Sequence, residues 1–153
     1  MQKFIAKFTY KKSVFTIVLA YLFLTGCAVS KLSNEKMENL GVFFIKPENN
    51  ATVNQEVKIV MGVKGMNIRP AGDMTEKTGH HHLLIDEPPI ASGTAIPKSP
   101  KHLHFGKGKR ETIIKLTPGK HTLTLQFANG AHQSYGSKMR NSITVNVKQE
   151  SDN

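Results

Sequence analysis

The stretch 121–128 reads HTLTLQFA, and its alternation decides the fold class. Leu123, Leu125 and Phe127 fall on one side of an extended chain, and Thr122, Thr124 and Gln126 on the other. Successive side chains of a strand point to opposite faces, so this pattern predicts a strand with one apolar face. The same reading extends outward in both directions. Val57, Ile59, Met61 and Val63 share one face of 56–63, and Ile143, Val145 and Val147 share one face of the last strand. Shorter candidates are 42–45 (VFFI), 80–86, 102–105 and 111–116. Gly, Pro and Asn separate them, and no segment after Cys27 sustains a helical period. Short strands at this spacing predict a small immunoglobulin-like antiparallel β-sandwich of about seven strands over residues 41–149. The connection 87–101 is long and holds four prolines, Pro88, Pro89, Pro97 and Pro100. A loop of that length in a compact domain is often functional.

Upstream of the sandwich the chain changes character. Lys3, Lys7, Lys11 and Lys12 precede the uncharged apolar run 14–24 (VFTIVLAYLFL). Eleven residues suit the apolar region of a signal peptide, whereas a membrane-spanning helix needs about 20. Leu24, Thr25, Gly26 and Cys27 follow directly and resemble the lipobox of bacterial lipoproteins. The resemblance implies cleavage before Cys27 and a lipid on its sulfur. Residues 1–26 are then the signal peptide, 27–40 a lipidated cysteine with a flexible tether, and 150–153 a polar tail. Cys27 is the only cysteine, so no internal disulfide can form. The expected location is the cell envelope. In a Gram-negative cell Ala28 after the cysteine favours the outer membrane, facing the periplasm.

Charge narrows the partners. The whole chain carries +10; removing four of its 21 Lys and Arg leaves 17 against eleven acids, or +6. Outside the cytoplasm this favours anionic envelope polymers and lipid headgroups over nucleic acid, which is not expected as a partner.

Histidine is the main chemical signal. All seven lie between residues 80 and 132. His80 and His82 share one side of a strand, and His102 and His104 share one side of another. Two facing pairs offer four imidazole nitrogens, a donor set suited to copper or zinc. The candidate metal ligands are therefore His80, His82, His102 and His104. Asp86 and His121 are candidates for a second layer or an additional ligand. His81 shares its side with Leu83 and Ile85 and is expected to face the core. His132 lies in a polar loop and is expected in solvent. Met66, Met74 and Met139 could add thioether sulfur for cuprous ion. The competing reading makes the histidines internal hydrogen-bond struts of a structural or interaction lipoprotein.

Catalytic signatures are missing: there is no Gly-x-Ser-x-Gly elbow, no spare thiol and no His-Glu-x-x-His. The expectation is a binding module and not an enzyme. The basic, glycine-rich segment 106–110 (GKGKR) reads as a tight turn, with an anion-binding nest as its functional alternative.

The blocks VKGM (63–66), PAG (70–72), TGHHHLLID (78–86), HLHFGKG (102–108) and PGKHTLTL (118–125) occur in this order. Together they resemble the bacterial family called domain of unknown function 4399, over about residues 42–148. VFFI (42–45) and ATV (51–53) also fit. The resemblance implies a small exported β domain and carries no established activity. The chain departs from the family pattern after Asn129, where it reads GAHQSYG (130–136).

Overall fold

The computed structural model describes residues 41–149. The expected signal peptide, Cys27, tether and polar tail lie outside the described residues. All described residues fall within one compact unit, Asn39–Asn153.

The described residues form nine strands: β1 (Gly41–Lys46), β2 (Ala51–Val53), β3 (Glu56–Lys64), β4 (Asn67–Ile68), β5 (Thr78–Ile85), β6 (His102–His104), β7 (Glu111–Lys115), β8 (Gly119–Ala128) and β9 (Arg140–Val147). One 3-10 turn, Ser137–Met139, precedes β9. A smaller sheet has the order β1-β3-β7. A larger one runs β2-β9-β8-β5, and β5 also pairs with β4 and β6. The fold is all-β and sandwich-like.

Two details correct the sequence reading. The described residues hold nine strands where about seven were expected, because β2 and β4 have only three and two residues. Elements that short show no period. They also break the expected antiparallel rule, since β2 runs parallel to β9 and β4 parallel to β5.

The alternating residues meet where the sheets face each other. Val57, Ile59 and Met61 from the smaller sheet pack in one cluster with Leu83, Leu123, Leu125, Phe127, Val145 and Val147 from the larger. Each large apolar side chain buried this way contributes about 1.5–3 kcal/mol. His81 joins this interior, its ring edge-on to Phe127 at 5.1 Å.

The opposite face of the larger sheet is also covered. Thr124 and Gln126 point away from the core, yet both are buried. The segments 87–101 and 129–136 form a roof over them. Within it Gly93 N–H donates to the Ser134 carbonyl at 2.8 Å, and Ile96 N–H donates to the His132 carbonyl at 3.0 Å. Gln126 ties the roof to the sheet. Its side-chain oxygen accepts from Ile90 N–H at 3.2 Å, and its amide donates to Ser134 Oγ at 2.8 Å. The Tyr135 hydroxyl adds a bond to the Thr78 carbonyl at 2.7 Å.

Candidate metal centre

Under this roof the strands place histidines side by side. His80 and His82 lie on the roofed face of β5, and β6 pairs antiparallel with β5 so that His104 sits opposite His82. Gly106 makes room for His104: a Cβ on Gly106 would collide with the imidazole. His132 comes from the roof. Asn129 shapes its turn, with Oδ1 accepting from the N–H groups of Ala131 and Gln133, both at 3.0 Å. His132 has φ 64°, a left-handed conformation that costs a side-chain-bearing residue about 1–2 kcal/mol.

Four imidazoles converge as a result. His80 and His82 bring their Nε2 atoms to 3.1 Å, and His104 and His132 bring theirs to 3.2 Å. Across the two pairs the ring centroids of His80 and His104 are 4.9 Å apart, and those of His82 and His104 are 5.0 Å apart. His80, His104 and His132 each offer a nitrogen within 4.8 Å of the others. Two nitrogens at 2.0–2.1 Å from a tetrahedral ion lie about 3.3 Å apart, so both close pairs nearly match that spacing. The cluster is graded: His80 and His82 are buried, His132 is half-buried and His104 is exposed.

Electrostatics favour the neutral form that ligands need. Burial, aided by His104 and His132, lowers the His80 pKa to about 4. Burial and the surrounding histidines lower that of His82 to about 2. His104 is lowered by burial, His132 and Lys98. Neutral imidazoles can either share protons in N–H···N bonds or coordinate a metal. His80 Nδ1 is buried without a partner.

The structure thus brings together His80, His82 and His104 from the expected set. His102 is not among the converging rings. That residue has the right parity, but its Nδ1 bonds the Pro97 carbonyl at 2.9 Å and draws the ring toward the proline-rich loop. His121 and Asp86 also stand apart, forming their own pair at 2.6 Å. His121 Nε2 meets the Thr117 carbonyl at 2.8 Å, as a histidine at a sheet corner would. Met66 packs against the core, Met139 is buried in it and Met74 is exposed. The residue that sequence reasoning missed is His132. Its loop carries no period, and only the pairing of two distant roof segments delivers it to β5.

Three comparisons bear on the chain. No curated protein matches it. Among solved structures, an endo-beta-1,4-mannanase from Thermotoga petrophila is 14% identical with a TM-score of 0.45. That similarity covers 72% of this chain and 20% of the mannanase chain, so this chain spans about a fifth of the enzyme's length. The model of the domain of unknown function 4399 matches residues 59–148, a span that contains all four clustered histidines. The chain belongs to the family of domain of unknown function 4399.

Proposed function

We propose that this chain is a membrane-tethered cell-envelope lipoprotein whose sandwich is a non-enzymatic binding module for a transition metal, copper or zinc. The ligands are His80, His82, His104 and His132. The observation that carries the reading is the convergence of four imidazoles, two close pairs at 3.1 and 3.2 Å, from three separate segments. A histidine held at positive φ to complete the set adds support. The donor set is all nitrogen, which suits copper and zinc and disfavours magnesium and calcium. The lipid on Cys27 and the envelope location rest on the sequence features around residues 14–27.

The two close contacts also fit hydrogen bonds, which favours a second reading in which the imidazoles are struts of a purely structural module. Isothermal titration of residues 39–153 with cupric and zinc ions separates the two. That segment carries its own core and lacks the cysteine. Binding is expected at one site per chain, weakened about 100-fold or more in His80→Ala and in His104→Ala. Uptake unchanged in both variants, or none in the wild type, leaves the strut reading standing.

A further inference from the structure

The charge around the cluster points to what else occupies the centre. The four ligand side chains are uncharged as ligands, so a divalent ion bound there keeps its full +2. The charged groups that act on His80, His82 and His104 are other histidines and Lys98; no carboxylate is among them. Beside His104 an open groove of about 360 Å³ is lined by His104, Phe105, Gly106, Lys107 and Lys109. The groove lies along the basic turn 106–110, where Gly108 N–H donates back to the Phe105 carbonyl at 3.0 Å. Among the described residues no ion pair engages Lys98, Lys107 or Lys109. A dication in a half-dry site with lysines on its rim is an uncompensated charge, and such charges are stable only when paired.

We infer that the metal-loaded centre takes a small anion as an additional ligand, entering through this groove on the exposed His104 side and held by Lys107 and Lys109. The inference rests on the metal reading above. It makes the site a two-component receptor in which each component raises the affinity of the other, as linkage requires.

The test uses residues 39–153 loaded with cupric ion and titrated with azide, whose coordination gives a charge-transfer absorption band. The wild type is expected to bind azide saturably. The double variant Lys107→Ala, Lys109→Ala is expected to bind it about fivefold more weakly at low ionic strength, with the difference shrinking in high salt. The same variant should take up cupric ion at least as tightly as the wild type in an anion-poor buffer, because two repelling charges are gone. The double variant Lys120→Ala, Lys148→Ala changes net charge equally at the far end of β8, where Lys120 pairs with Asn146, and should bind azide like the wild type. Metal uptake without an azide band overturns this inference alone, as does a band equally affected by both double variants or by neither. Failure of metal uptake overturns this inference and the metal reading together.

Discussion

The paired strands β5 and β8 have histidine at both of their shared ends, a single His121 at one and a cluster at the other, and the two ends treat the same side chain in opposite ways. At one end His121 meets the Asp86 carboxylate, which also accepts the Thr122 N–H at 2.8 Å. Burial alone would lower the His121 pKa, but the bonds to Asp86 and the Thr117 carbonyl outweigh it and raise the value. For Asp86 burial acts upward, while the bonds from His121 and Thr122 hold the carboxyl below its usual range. At the other end the neighbours of His80 and His82 are imidazoles under a roof, and both pKa values fall. One end is a histidine–carboxylate pair that holds a corner. The other is a set of neutral donors held close together. Burial pulls every one of these imidazoles toward the neutral form, and only the carboxylate and carbonyl partners of His121 reverse that pull.

Acid should separate the two ends most widely. In the metal-free domain His80 has a folded pKa of about 4 against 6.5 unfolded. Between these values the unfolded chain binds more protons. The stability linked to His80 is therefore complete above pH 6.5 and lost as pH falls toward 4, on the order of 3 kcal/mol. His121 has the opposite sign. Its raised folded pKa contributes stability below 6.5 that is lost as pH rises through the folded value. Urea melts at several pH values should show a steep acid limb in the wild type and a shallower one in His80→Phe. Equal acid limbs would break the contrast.

The next largest effect concerns ligand binding. His132→Ala should weaken cupric or zinc binding by about 10-fold to 100-fold in calorimetric titration. His121→Ala should leave it within about twofold, since His121 makes its bonds at the other end of the strands. Equal losses would mean that the two ends form one site.

Asp86→Asn should cost about 1–3 kcal/mol in denaturant melts at neutral pH, because it weakens the charge-assisted bond to His121 while keeping the shape. The smallest effect is expected for His102→Ala. Its bond to the Pro97 carbonyl is partly exposed, so about 0.5–1 kcal/mol of stability and less than a twofold change in metal affinity should follow. A large loss of affinity there would return His102 to the ligand set.

Much of the fold was legible because β3, β8 and β9 each turn one apolar face to the core and a more polar face away from it, and that leaves an alternating record in the chain. The short strands β2 and β4 left none. They exist because neighbouring backbones offer them bonds, at Ala51–Val145 and Asn67–Thr78. The site was legible in part for a similar reason. Parity along β5 and β6 is local, so His80, His82 and His104 could be grouped from spacing. Parity also grouped His102, and only the Pro97 carbonyl distinguishes it. His132 depends on Ile96 and Gly93 bonding to a segment about 40 residues away, which no local pattern records. Gln126 shows the same limit. Its place on the side of β8 opposite Leu125 and Phe127 carries no sign of burial, but the proline-rich loop closes over it.

The Gln126 tie has a kinetic consequence. Three of the clustered histidines sit on paired strands, while the fourth rides on a lid whose fastening to the sheet includes Gln126 and Tyr135. An ion on all four side chains acts as a clasp between lid and sheet. Its escape is then gated by the lid's opening, and amide exchange at Ser134 and Ile96 becomes a clock for how long the centre keeps its ion.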